Sequence, residues 1–206
     1  MRNPICTRRR LVLLAITIVA SVFASPFLWY RWTFPYGRSH SCDACLRKAL
    51  YLYAKDHGGT FPAGEATPEA SLSLLYPQYA SAELLQGRTV PLDVVKARLK
   101  RGERLSPETC GWHYVEGLTL DDDPNLALLW GKVPLGHNGQ RSLDGGQVVQ
   151  FVSLENYIAG ADWDDFLANQ AKLYAARNRS SPRSRPSEWP ELALQDRLPR
   201  VTRRHP

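Results

Sequence analysis

The sequence predicts an α+β fold: one apolar N-terminal helix, then a domain in which a long helix packs on a small antiparallel sheet. Three observations carry that expectation. Leu11 to Tyr30 reads LVLLAITIVASVFASPFLWY without a charged residue. Apolar residues then recur at helical spacing from Cys42 onward, and after Cys110 the texture changes to short β-like runs parted by turn clusters.

At 1.5 Å per residue the apolar run spans roughly 30 Å, the thickness of a bilayer's hydrocarbon core. Arg8, Arg9 and Arg10 stand before it, and Trp29, Tyr30 and Trp32 stand at its far end, where amphipathic rings favour the interface. The positive-inside bias puts the N-terminus in the cytoplasm and everything after Arg31 outside, with the lipid bilayer as the first partner. A cleaved signal peptide competes, because Val22-Phe23-Ala24 offers small residues at the right relative positions. It would release a secreted domain. The apolar run continues past Ala24 into the aromatic belt, which favours a signal-anchor.

The expected organisation is therefore a basic cytoplasmic stretch over 1–10, a transmembrane helix over 11–32, a linker over 33–38, a folded domain over 39–177 and a disordered basic tail over 178–206. Composition supports one domain: 206 residues, 44% hydrophobic and six Trp can build a core of ordinary size. The formal net charge is +6, but its distribution excludes nucleic acid as the partner. Arginines crowd the two ends, while Asp121-Asp122-Asp123 and Asp162, Asp164 and Asp165 interrupt the middle. A nucleic-acid binder needs a continuous basic face.

Pro35 and Gly37 interrupt the chain after the membrane segment. Ser39 or Ser41 is then the expected cap of a second helix whose first turn holds Asp43. Cys42, Cys45, Ala49, Leu52 and Tyr53 make its expected buried face, and Gly58-Gly59 with Phe61-Pro62 ends it. Short helices are expected over Glu69–Tyr76 and Leu92–Lys100. Strands are expected over Trp112–Val115, Leu126–Trp130, Val148–Val152 and Glu155–Ile158, and DDDPN, GHNG and DGG make the turns. Connections this short demand antiparallel pairing. A last helix starts near Asp162, with Trp163, Phe166, Leu167, Gln170, Leu173 and Tyr174 along one face. The Ser-, Pro- and Arg-rich remainder has too little apolar content to offset the entropy of ordering.

Two stretches together resemble a known family. CDACLRKALYLYAKDHGGTFP, from Cys42 to Pro62, with ASLSLLYPQY from Ala70 to Tyr79, is similar to the soluble half of the first helix of bacterial pilin-like proteins. WHYVEGLTLDDDPNLALLWGK and GHNGQRSLDGGQVVQFVSLENYI resemble the C-terminal part of pseudopilin-G-like proteins. The resemblance implies a pilin-like fold and a structural role in the bacterial inner membrane, beside other envelope or secretion-system proteins of the type II secretion or type IV pilus kind. One departure matters. Filament-forming pilins carry a Gly-Phe-Thr-Leu-Ile-Glu processing site before the apolar helix, and here that place reads Thr7-Arg8-Arg9-Arg10-Leu11. The resemblance therefore points to a statically anchored relative that is not processed into a filament.

Chemistry has few places to reside. Cys42, Cys45 and Cys110 would lie where disulfides persist. A structural disulfide from Cys110 to Cys42 or Cys45 would staple helix to sheet and leave one thiol spare. CDAC and CGWH together also have the content of a structural zinc site, Cys42, Cys45, Cys110 and His113. The CxxC at a helix start offers a third use, as a membrane-tethered thiol-redox protein, though without the preceding strand of thioredoxin-like enzymes. Asp121, Asp122 and Asp123 offer oxygens to calcium, which some pseudopilins bind, but Asp-Pro-Asn is also ordinary turn chemistry. His137 has acceptors near it, and loop histidines commonly orient a turn. No nucleophile elbow, phosphate loop or dinucleotide fingerprint occurs in the sequence. The residues assign no catalytic group, and the expected role is structural or interactive.

Overall fold

The computed structural model describes residues 4–38 and 42–180. Helix α1, Pro4–Thr33, contains the apolar run. Its 21 residues from Leu13 to Thr33 are long and apolar enough to cross a membrane, and no part of that window is buried within the protein. Phe23 is 78% exposed, and Leu13, Val22, Phe27 and Trp29 are exposed with it. A soluble surface rarely shows so large an apolar face.

A turn over Phe34–Gly37 breaks the chain, and Gly37 there takes a positive φ of 83°. Helix α2, Asp43–Asp56, follows. Its cap is Cys42, whose Sγ accepts the Cys45 N–H at 3.2 Å; the expected caps Ser39 and Ser41 lie outside the described residues. The buried face also differs from the expected one. Asp43, Leu46, Ala49, Leu50 and Ala54 point inward, while Cys45 and Leu52 are exposed. The i, i+3, i+7, i+11 rhythm is the same, but its origin sits on Asp43, because partners from distant segments draw that carboxylate inside.

Helices α3 (Pro68–Leu72, continued by a 3-10 turn over Ser73–Leu75), α4 (Ala82–Gln86) and α5 (Leu92–Lys100) then lead to the sheet. Thr67 caps α3 by accepting the Ala70 N–H at 3.2 Å. Helix α4 is an addition to the sequence reading; at five residues it is too short to show a period. Strands β1 (Trp112–Tyr114), β2 (Ala127–Gly131), β3 (Gln147–Phe151) and β4 (Glu155–Ile158) form one antiparallel meander in that order. All four expected strands form, displaced by a residue at most at either end.

Helix α2 lies against β2 and β3, and α3 against β1. Continuous burial of Ala127 to Trp130 shows that β2 is covered on both faces. Leu46, Leu50, Leu72, Leu75, Leu85, Trp112, Leu129 and Val149 join in one core. Each such side chain contributes about 1.5–3 kcal/mol on burial.

Helix α6, Trp163–Ser180, runs three residues beyond the expected domain end at 177. Residues 178–180 of the expected disordered tail are thus helical, and the rest of it, 181–206, lies outside the described residues. The polar interruption in the apolar face of α6 has a clear use. In β2 the register slips between Ala127 and Leu129, a bulge that leaves ladder groups without strand partners. Gln170 Oε1 accepts the Ala127 N–H at 2.9 Å, and Gln170 Nε2 donates to the Asn125 carbonyl at 2.9 Å. The Tyr174 hydroxyl donates to the Ala127 carbonyl. The bulged end of β2 is thus closed by side chains of α6.

Candidate functional site

Polar groups gather where α2 begins, close to the end of α1. Asp43 is 0% exposed, and its Oδ2 stands 3.1 Å from the buried Arg88 guanidinium. Arg88 also lies over the Trp112 ring, 5.3 Å from its centre. His137 Nδ1 meets Asp43 Oδ1 at 2.8 Å, and His137 Nε2 meets Glu155 Oε1 at 3.2 Å. The result is a line of alternating charge capacity, Arg88–Asp43–His137–Glu155, running from the core to the surface. It ends on a cleft of about 380 Å³ lined by His137, Gln140, Glu155 and Tyr157 among others.

Each member is set by local structure. Gly87 has a positive φ of 72°, and a Cβ there would fall 2.6 Å from the Gly111 Cα. Two glycines must therefore meet for Arg88 to lie beside β1. The Gly111 N–H donates to the Gln86 carbonyl at 2.9 Å, closing the same approach. His137 sits in the GHNG turn, where the Gly136 N–H donates to the Gln140 carbonyl at 2.8 Å. Glu155 begins β4, opposite Gln150.

The same turn fastens the end of α1. The Arg141 N–H donates to the Thr33 carbonyl at 2.7 Å, Arg141 Nε donates to the Trp32 carbonyl at 3.2 Å, and the guanidinium lies 5.9 Å from the Trp32 ring centre. Helix carbonyls at a C-terminus lack intrahelical partners and carry partial negative charge, so a guanidinium is a fitting cap. One short loop, 134–141, therefore holds the apolar helix through Arg141 and the start of α2 through His137.

The DGG turn that follows has its own lock. Asp144 Oδ1 accepts from the Tyr157 hydroxyl at 2.5 Å, from Ser142 at 2.7 Å and from the Gly146 N–H at 3.0 Å. These bonds hold the Asp144 carboxyl well below its ordinary range, the Tyr157 bond most of all.

The cysteines divide into two places. Cys42 and Cys45 share the first turn of α2, Cys45 on the surface. Cys110 is buried before β1, its Sγ beside the Leu85 and Trp112 carbonyls at 3.7 and 3.9 Å, and burial pushes its thiol up to about 12. All three are free thiols, so the staple from Cys110 to α2 is not formed in this structure. His113 lies in β1 with its ring tilted on Trp130, 5.4 Å between centres. Among the described residues no three His, Cys, Asp or Glu side chains are placed to hold a metal ion, and the four groups of the zinc expectation are divided, Cys42 and Cys45 at the start of α2, Cys110 buried before β1 and His113 within β1.

The acidic turn of the calcium expectation, Asp121 to Asp123, makes contacts within the chain. Asp122 is engaged by Arg177, Nε to Oδ1 at 2.6 Å and a terminal nitrogen to Oδ2 at 3.0 Å, and by the Thr119 N–H at 2.7 Å. Asp123 accepts from the Asn125 N–H at 2.8 Å. Asp121 is exposed. The turn is an Asx turn with a buried arginine beside it. Of the expected membrane-interface residues, Trp29, Tyr30 and Trp32 sit exposed in the last two turns of α1, and Arg8, Arg9 and Arg10 are helical near its start.

Sequence reading gave Asp43 to the helix dipole and His137 to turn chemistry, and passed over Arg88, Arg141 and Glu155. Their only signal is residue type, since partners 18 to 109 positions apart leave no local pattern. Set beside models of known families, curated proteins and solved structures, the chain matches none of the three, so the reading rests on its own geometry.

Proposed function

We propose that this chain is a membrane-anchored structural or interaction protein, its α+β domain held outside the cytoplasm in the manner of an unprocessed pseudopilin. The observation that carries the reading is the Arg141 junction. It ties the carbonyl end of the apolar helix to the domain by two hydrogen bonds, so anchor and domain form one mechanical unit. A junction held in this way suits a scaffold, which transmits position through it. The packing of α2 on the meander further supports a pilin-like arrangement, in which the helix following the membrane segment backs the sheet.

Fractionation of expressing cells tests this. The full-length chain is expected in membranes after alkaline carbonate washing, with its first ten residues intact and a C-terminal reporter active only outside the cytoplasm. A photo-crosslinker at Leu52, Val94 or Tyr157, apolar and exposed on the domain, is then expected to give discrete protein adducts in those membranes. A shortened chain in the soluble fraction would support release by signal peptidase instead. A monomeric chain in membranes, with no adduct from any of the three positions, would refute the interaction role.

A further inference from the structure

We propose that Cys42 and Cys45 form a dithiol–disulfide exchange site at the exposed start of α2, acting as a reductant toward accessible disulfides. The two sulfurs share one helical turn: Cys42 Sγ accepts the Cys45 N–H at 3.2 Å, and the Cys45 thiol is itself bonded to Cys42. Two residues lie between them, so closure needs no rearrangement of the chain beyond that turn. Asp43, the residue between them that would otherwise project beside the pair, is drawn into the core by Arg88 and His137. Those contacts fix the turn while leaving Cys45 at the surface and Cys42 half-buried beneath it.

Cys110, the third thiol among the described residues after Cys42, is enclosed and bonded elsewhere, so it does not compete. Among the described residues no group of three His, Cys, Asp or Glu is placed to hold a metal ion.

The chemistry balances with a disulfide as the co-reactant. The Cys45 thiolate, the one within reach of solvent, attacks one sulfur of the incoming disulfide, and the other sulfur leaves as a thiolate. The Cys42 thiolate then attacks Cys45 Sγ in the mixed disulfide, closing the Cys42–Cys45 bond and expelling the second sulfur. The protein loses two electrons and two protons, and the incoming disulfide gains both. The sense of the couple follows from the geometry. The folded first turn of α2 holds the two sulfurs together, which favours closure over the same pair in an unfolded chain, so the folded dithiol gives up electrons more readily.

The test uses the full chain in detergent micelles, equilibrated with mixtures of reduced and oxidised glutathione, acid-quenched, alkylated and mapped. Closure of Cys42–Cys45 is expected in the folded chain at a poise at least tenfold more reducing than in the same chain unfolded in urea, with Cys110 alkylated only after denaturation. In Cys42→Ser the expected product is glutathione held on Cys45, and in wild type that adduct resolves. Equal closure in folded and unfolded chains, a crosslink from Cys110, or no glutathione on Cys45 in Cys42→Ser would each overturn the proposal. None of these outcomes bears on the anchored scaffold, which does not depend on the thiols.

Discussion

Replacing Gln170 by Leu sets two accounts of α6 against each other. By apolar patterning the change completes the buried stripe of Phe166, Leu167 and Tyr174 and should stabilise, by about 1 kcal/mol for the added apolar area. Hydrogen-bond accounting gives the opposite sign. The Ala127 N–H lies in a fully buried residue and would lose its acceptor, at a cost of about 1–3 kcal/mol. The Asn125 carbonyl would lose its donor too, but Asn125 is exposed and water can replace it, so about 0.5–1 kcal/mol is added. The net expectation is a loss of about 0.5–3 kcal/mol, a fall of about 0.3–1.5 M in the urea midpoint for a slope near 2 kcal/mol/M. The assay is urea unfolding of the full chain in micelles, followed by fluorescence of the buried Trp112 and Trp130. A Gln170→Leu midpoint equal to or above wild type would show that the bulge finds other partners and that the closing role of α6 is wrong.

Three further outcomes follow from the same geometry. Arg88→Met leaves the Asp43 carboxylate buried with only His137 beside it and should cost about 3–5 kcal/mol, while adding Asp43→Asn should recover much of that; additive single-variant losses in the double variant would refute the coupling. Gly160→Ala places a Cβ 1.8 Å from the Asp144 carbonyl oxygen and should cost about 3 kcal/mol or more, whereas Gly102→Ala, in open space at φ 72°, should cost about 1–2 kcal/mol, so equal urea midpoints for the two would count against the tight DGG approach. For Asp122, burial alone would raise the carboxyl, but the Arg177 and Thr119 hydrogen bonds outweigh it and hold the folded value below the ordinary one. A depressed carboxylate contributes stability that is full above its unfolded pKa of about 3.9 and is lost as pH falls through the folded value, so acid unfolding should become shallower in Asp122→Asn below about pH 4; an unchanged slope would refute it.

The apolar N-terminal helix, the four strands, α5 and α6 follow from the sequence because their signals are local. An uncharged run of bilayer length, alternation around Asp-Pro-Asn and Asp-Gly-Gly turns, and a stripe of period 3.6 each depend only on near neighbours. Gln170 shows the limit within an element: its position on the buried face was legible, but its partners Asn125 and Ala127 belong to a bulge that no local pattern announces.

What only the tertiary structure decided is which way α2 faces and what its first turn does. The helical rhythm leaves the rotation of a helix about its axis open by one residue, and the choice between a face bearing cysteines and one bearing Asp43 is made by Arg88 and His137, 45 and 94 positions away. A carboxylate goes inside only when charge and hydrogen bonds meet it there, so its burial could not be read before its partners were placed. The same choice turns Cys45 outward and parts it from Cys110, while Arg141 joins the domain to its apolar helix.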